Sequence, residues 1–348
     1  MKIALVTIHN ANNYGAVLQT FAMQEVLKRY GEVEVIDYKN RHVSRSFDLV
    51  RIKLSFHGLL GIGKDIFRLF PRWRVIKKFK AFIEDKLCLT ESLTHEDLVN
   101  GKASGYDVYV AGSDQIWNPM CVNEKGLIDL GYFLDFAPAK AKKISFASSI
   151  GGHKYSDAEA AHVQVLLSSF EHLAVREKGT LLLNKRAWLE AIEVSSCKSG
   201  AGYILLYTVP KLPLIRGAVS FFAKKLGLKV VLLEQGLMAS ARVDEHIRDA
   251  GPKDFIELFA NASFVITDSF HGTCFALNFE KPFVTVSSGR HSNRIESLLN
   301  LVGLEERLLK DLKSMANIPL EMDMSAALER LNVAREESLS YLASAVRS

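Results

Sequence analysis

Cysteine is scarce in this chain and poorly spaced for chemistry. The four that occur, Cys88, Cys121, Cys197 and Cys274, form no C-x-x-C pair. That argues against a disulfide framework or a zinc knuckle and for reduced thiols in a cytosolic protein. No apolar stretch approaches the roughly 18 residues that a membrane span needs. The apolar run from Ile3 to Ile8 is too short for the core of a signal peptide and reads as a first β-strand. Also missing are a Walker loop, a G-x-G-x-x-G turn, a Ser-His-Asp order and any cluster with metal-ligand spacing. These absences count against P-loop ATPases, dehydrogenases and zinc hydrolases, and no metal is expected. A large charge of one sign is lacking too. The 44 Lys and Arg against 39 Asp and Glu leave +5, which suits anionic substrates but is too little to argue for nucleic acid.

What the chain does have is the length and composition of a two-domain globular protein. It has 348 residues, 48% of them hydrophobic and 24% charged. A short apolar strand, a loop rich in Gly, Ser, Asn or Asp, and a helical pattern recur along it. Ile3 to Ile8 leads through the loop from His9 to Gly15 into a helix with Val17, Leu18, Phe21, Ala22, Val26 and Leu27 at helical spacing. Val33 to Ile36, Val108 to Ala111, Ile144 to Ala147 and Leu173 to Val175 read as further strands of the first half. Ile204 to Tyr207, Val230 to Leu233, Phe264 to Thr267 and Phe283 to Val286 read as strands of the second half. Such alternation predicts parallel sheets covered by helices, with ligands outside the carboxyl ends of the strands. The small polar run from Ser195 to Gly202 suggests the boundary. We therefore expect a first domain over residues 1–195, a second over 196–323 and a closing C-terminal helix over 324–348.

The stretch between Arg51 and Lys86 differs from the rest because basic residues interleave there with Leu, Ile, Phe and Trp. It reads either as a pair of surface helices packed on the first domain or as a peripheral contact with an anionic membrane surface.

Several strand-end loops can carry chemistry. In Phe264 to Ala276, FVITDSFHGTCFA, a strand runs into Asp268-Ser269-Phe270-His271-Gly272 and a helix follows. His271 then stands at a helix N-terminus, where unpaired N–H groups favour a phosphate or carboxylate. The same positive end favours the neutral imidazole, suited to proton transfer. The loop with Asn12, Asn13, Tyr14 and Gly15 offers amides to a sugar or phosphate, or simply caps its helix. In the loop Gly112-Ser113-Asp114-Gln115-Ile116-Trp117, Asp114 is either a proton acceptor or an N-cap, and Trp117 either a stacking platform or a core residue. Arg176 ends the Leu173 to Val175 segment, where a guanidinium can clamp an anion. Asn293 and Arg294 open another helix, with Glu296 at capping-box spacing.

Taken together these segments resemble the polysaccharide pyruvyl transferase family. The resemblance rests on NNYGAVLQTFA (12–22), GYDVYVAGSDQIWNP (105–119), YFLDF (132–136), AVREK (174–178), GPKDF (251–255), ITDSFHGTCFAL (266–277) and SNRIESLL (292–299). It implies an α/β, GT-B-like fold in which two Rossmann-like domains with parallel sheets face a central cleft. It also implies transfer of a pyruvyl group from phosphoenolpyruvate to a sugar, or to a lipid-linked oligosaccharide, as a ketal across two hydroxyls. No cofactor is implied beyond phosphoenolpyruvate as co-substrate. Under that reading His271 and Asp114 handle protons, while Arg176, Ser269, Gly272, Asn293 and Arg294 hold the donor. Asn13, Tyr14, Gly15, Ser113, Gln115 and Trp117 face the acceptor. The protein is then cytoplasmic; peripheral contact at the inner face of the membrane belongs to the second of the two readings of the basic stretch from Arg51 to Lys86. Two features depart from the pattern. Ser269 stands two residues before the histidine, where many members carry Arg, and Lys178 is followed at once by GTLLL without the usual intervening stretch. The competing readings are a GT-B glycosyltransferase using a nucleotide sugar and a non-catalytic carbohydrate-binding relative.

Overall fold

The computed structural model describes residues 1–49, 56–175, 179–193, 202–286 and 293–348, with the side chains of its longest helix described from Leu69 onward. The chain divides into two compact units. Met1–Asp48, Phe79–Leu182 and Glu337–Ser348 make the first, and Leu49–Lys78 with Leu183–Glu336 make the second. The boundary expected after residue 195 lies outside the described residues.

The first unit is built on β1 (Lys2–Val6), α1 (Tyr14–Leu27), β2 (Glu32–Tyr38), α2 (Arg41–Ser44) and the C-terminal end, from Phe79, of α3 (Phe56–Lys86). It continues through β3 (Leu89–Leu93), α4 (His95–Asp97), β4 (Val108–Ala111), α5 (Pro119–Val122), β5 (Lys142–Ser145) and α6 (Asp157–Leu167). Its five strands are parallel in the order β3-β2-β1-β4-β5. Because β1 lies at the centre, Ile3 to Val6 are wholly buried, which is why this strand reads as a continuous apolar run. Helix α1 is buried nearly all round. Its polar residues are therefore committed inside: Thr20 donates to Ile8 O and Ala16 O, and Gln24 donates to Lys86 O and accepts from Cys88 N.

The second unit runs through α7 (Lys185–Ala191), β6 (Tyr203–Tyr207), α8 (Leu214–Leu226), β7 (Lys229–Leu233), β8 (Glu245–Ile247), α9 (Pro252–Asn261) and β9 (Phe264–Thr267). It ends with α10 (Phe270–Asn278), β10 (Phe283–Val286), α11 (Asn293–Val302), β11 (Leu308–Leu309) and α12 (Ser325–Arg347), the last shared between the two units. Six parallel strands follow the order β11-β10-β9-β6-β7-β8. In both units the strand order reverses beside the first strand, between β1 and β4 and between β6 and β9, the doubly wound pattern of a Rossmann sheet. The α/β reading with two Rossmann-like units of parallel strands and a C-terminal helix thus describes the chain.

Three expectations need correction. The strand read over Leu173 to Val175 is an irregular edge: His172 makes a single bridge to Ile144, and Leu173 and Val175 stay exposed. The pair of helices read between Arg51 and Lys86 is one helix, α3, with Pro71 inside it. The edge strands β3, β8 and β11 were not anticipated. Among the described residues no helix is long and apolar enough to cross a membrane.

Helix α10 is held by an aromatic cluster. Phe275, wholly buried, packs its ring against Trp188, Phe255, Phe259 and Phe279, with centroids 5.0 to 6.3 Å away. Phe275→Ala is expected to lower stability by about 3–5 kcal/mol. Urea unfolding checks this, and a loss below about 1 kcal/mol would contradict the packing described.

Candidate functional site

At the switch point of the second sheet, Thr267 ends β9 and its hydroxyl donates to Tyr207 O at the end of β6 (2.7 Å) while accepting from Ser269 N (3.1 Å). Asp268 is buried and its carboxylate accepts four hydrogen bonds: from Thr208 Oγ1 (2.7 Å) and from the amides of Val209 (2.7 Å), Lys211 (2.9 Å) and Leu212 (3.3 Å). The loop leaving β6 is thereby tied to the loop leaving β9. Ser269 is the N-cap of α10, and its hydroxyl accepts from Gly272 N at 3.4 Å. Gly272 is there for space. A Cβ at that position would sit 2.2 Å from Thr267 Oγ1 and 3.0 Å from the Tyr207 ring.

His271 occupies the first turn of α10 and is half-buried. Its ring meets Phe270 edge-on at 5.5 Å, and the guanidinium of Arg294, in the first turn of α11, lies 5.0 Å from the centre of the same Phe270 ring. His271 and Arg294 thus meet one aromatic side chain, and Ser269 and Gly272 belong to the helix start that carries it. Asn293 opens α11 and is exposed. Arg176 lies outside the described residues.

Sequence reasoning passed over Tyr207 as a mere strand end. Burial pushes its phenol well above the usual value. The hydrogen-bonded Ser269 hydroxyl acts the other way, and the nearby Asp268 charge adds to the rise. Tyr207 therefore stays protonated beside the His271 turn. Glu234, just past β7, was also missed. It is buried and its carboxylate takes a 2.5 Å ion pair from Lys211 Nζ. Neither residue falls in a recognisable motif; their place at strand ends was the only signal.

At the switch point of the first sheet, the two expected loops are stitched together from within. Thr7 Oγ1 donates to Ser113 O (3.0 Å), Gln19 Nε2 donates to Thr7 Oγ1 (2.9 Å), and Ser113 Oγ donates to Gln19 Oε1. Asn13 caps α1 through Gly15 N (2.9 Å) and Ala16 N (3.4 Å) and stays exposed. Tyr14 is buried against Phe79 with centroids 5.0 Å apart, and Gly15 is buried too. Trp117 is a correction. Only 3% exposed, it stacks on Phe133 at 5.3 Å and donates from Nε1 to Tyr132 O, so its faces belong to the core and not to a sugar. Ser113, at 1% exposure, is likewise structural. Asp114 and Gln115 remain half-buried at the rim, Asp114 with a left-handed φ of 81° fixed by backbone bonds to Ala147 O and from Ser149 N.

The same rim contains a His–Asp pair, buried His9 with half-buried Asp37, that sequence reasoning did not single out. His9 Nε2 lies 2.9 Å from Asp37 Oδ1, and His9 Nδ1 lies 3.3 Å from Thr7 O. The hydrogen bond from His9 is the largest influence on the Asp37 carboxyl and holds it below its ordinary 3.8, against the opposing effect of burial. Among the described residues no group of three or more His, Cys, Asp or Glu side chains is placed to hold a metal ion.

Comparison with known families decides what this arrangement belongs to. The model of the family described as polysaccharide pyruvyl transferase matches residues 13–197 and 205–290. The chain belongs to that family. The match takes in the β9–α10 turn with His271, but ends before Asn293 and Arg294. No curated protein matches this pyruvyl transferase family member. Solved structures similar to it include a UDP-GlcNAc 2-epimerase from Neisseria meningitidis bound to UDP-GlcNAc, with TM-score 0.48, 11% identity, 97% of this chain and 94% of that chain covered. Another is a putative UDP-N-acetylglucosamine 2-epimerase from Listeria monocytogenes (TM-score 0.47, 11% identity, 99% and 90% covered). A third is the glycosyltransferase SnogD from Streptomyces nogalater (TM-score 0.45, 15% identity, 98% and 95% covered). These scores are low, and none bears on what this pyruvyl transferase family member binds.

The Asp37 environment makes a pH prediction. A depressed native pKa adds stability above the unfolded value of 3.8 and loses it as pH falls through the lower native one. The urea midpoint of the wild type should therefore exceed that of Asp37→Asn by a constant margin above 3.8 and converge on it in more acid solution. A margin that stays unchanged down to the lowest pH at which the protein folds would contradict the pairing.

Proposed function

We propose that this chain transfers the pyruvyl group of phosphoenolpyruvate to a sugar of a surface or exopolysaccharide, or of its lipid-linked precursor, as a cyclic ketal. The observation that carries the reading is the gathering of a half-buried histidine, a helix N-terminus and an arginine around Phe270, in a member of the polysaccharide pyruvyl transferase family. Phosphoenolpyruvate carries a carboxylate and a phosphate, and a helix start beside a guanidinium suits such a pair of anions. Because phosphoenolpyruvate is a metabolite of the cytoplasm, the same reading puts the enzyme there.

In the proposed reaction His271 delivers a proton to C3 of the donor while one sugar hydroxyl adds its oxygen to C2 and gives up its proton. The C2–O bond to phosphate then breaks, phosphate departs with the electron pair, and the resulting oxocarbenium centre is captured by the second hydroxyl, whose proton is also lost. The products are a ketal and inorganic phosphate; no electron acceptor, metal or cofactor enters the balance. Arg294 and Arg176 are the proposed anion clamps. Ser269, carrying no charge where many members have Arg, can contribute only a hydroxyl, which leaves the cationic share to those arginines. Tyr207, kept protonated and buried, is hydrogen-bonded to the Ser269 side chain and bears on the donor only through that residue. On the first unit the residues left to meet the acceptor are Asn13, Asp114 and Gln115, since Tyr14, Gly15, Ser113 and Trp117 are committed to the core. Asp114 is the proposed acceptor of the hydroxyl proton.

The test is phosphate release from phosphoenolpyruvate with a panel of galactosides, glucosides and N-acetylmannosaminides, with mass detection of the pyruvylated product. His271→Ala should lower kcat by about 10²–10⁴-fold, while Arg294→Ala should act mainly on the KM for phosphoenolpyruvate. Full activity in His271→Ala would remove the mechanism. Thermal stabilisation by a nucleoside diphosphate and not by phosphoenolpyruvate would favour nucleotide-sugar transfer instead.

A further inference from the structure

The fold uses one side of α3 and leaves another bare. Val75, Ile76, Phe79, Phe82 and Ile83 are buried, whereas Phe70 is 65% exposed and Trp73 47% exposed. The two exposed rings stack on each other at 6.1 Å. Arg74 places its guanidinium carbon 5.0 Å from the centre of the Phe70 ring, and Lys77 Nζ lies 5.5 Å from that of Trp73. Between Ile66 and Ile83 the sequence holds six cations and no carboxylate, and of the six Arg72 is buried, away from this surface. From elsewhere in the second unit Asp249 meets Arg74 and Asp254 meets Lys78, each at 2.7 Å. Lys77 has no carboxylate partner among the described residues. An aromatic pair standing in water and fringed by cations is the pattern that a phospholipid headgroup layer accommodates. The rings enter the boundary between headgroups and acyl chains, and the cations meet phosphates.

We propose that this face of α3 docks the protein on an anionic phospholipid surface, with the helix lying along the surface and Phe70 and Trp73 inserted. The proposal is independent of the pyruvyl transfer reaction, and either can fail without the other. The excess of cations, and not the apolar area alone, is what selects a lipid surface over a second copy of the chain, whose α3 would bring the same charge.

Co-sedimentation of the purified full chain with vesicles tests it. Vesicles of phosphatidylglycerol and phosphatidylcholine should bring the protein down, and vesicles of phosphatidylcholine alone should do so far less. Binding should fall as salt is raised. The tryptophan fluorescence should shift to the blue on binding. Trp117 and Trp188 are buried, so the shift reports Trp73. Lys77→Glu should weaken binding by about tenfold or more. The double variant Phe70→Ser, Trp73→Ser should stop sedimenting while melting at the wild-type temperature. Three results would overturn the proposal: no sedimentation of the wild type with phosphatidylglycerol vesicles, unchanged binding by the double variant, or a wild-type dimer, indifferent to lipid, that the double variant turns into a monomer. If the double variant melts early, the wild-type fluorescence and the Lys77→Glu affinity decide the matter on their own.

Discussion

Asp268 accepts a hydroxyl and three amide hydrogens at the carboxyl ends of β6 and β9, and the geometry of the second unit's switch point follows from that exchange. A buried carboxylate is tolerated only when its lone pairs are taken up, and here the donors are supplied by the loop that leaves β6. The same stretch of chain then turns through Ser269 into α10, and the want of a Cβ at Gly272 lets the helix start press against Thr267 and Tyr207. His271 is thus presented by a turn with little freedom. Positions held in this way suit a proton donor, because the cost of orienting the side chain is met during folding and not at each turnover.

The first unit handles its strand ends differently. There the polar residues mostly bond one another: Thr7, Gln19 and Ser113 close a buried ring of hydrogen bonds, and His9 pairs with Asp37. Many residues of the motif segments NNYGAVLQT and AGSDQIWNP therefore shape the loops instead of facing a ligand. The remainder, exposed Asn13 with half-buried Asp114 and Gln115, is neutral apart from one carboxylate, a surface better matched to sugar hydroxyls than to a multiply charged anion. The turn of the second unit differs in having an arginine beside it, Arg294 against the Phe270 ring.

Much of the fold was legible because buried parallel strands must be apolar throughout. Val108 to Ala111, Phe264 to Thr267 and Phe283 to Val286 were readable to the residue, and each is a strand wholly buried in its sheet. The strands that escaped, β3, β8 and β11, all lie at sheet edges, where LTESL, EHI and LL carry little periodic signal. The turn bearing His271 was legible from its place between strand and helix. Trp117 was not, since a ring next to Gly-Ser-Asp-Gln looks the same in sequence whether it faces a sugar or Phe133. The Asp37 partner of His9 and the Tyr207 phenol could not be found from local spacing, because each contact is made between elements distant in the chain.

The central claim is that the start of α10 holds a small dianion beside His271. The most direct measurement is the NMR resonance of the His271 imidazole, identified by its absence in His271→Ala and followed as phosphoenolpyruvate is added. The account predicts a saturable displacement of that resonance by phosphoenolpyruvate and none by a nucleoside diphosphate. A resonance that stays in place through saturating phosphoenolpyruvate would contradict it.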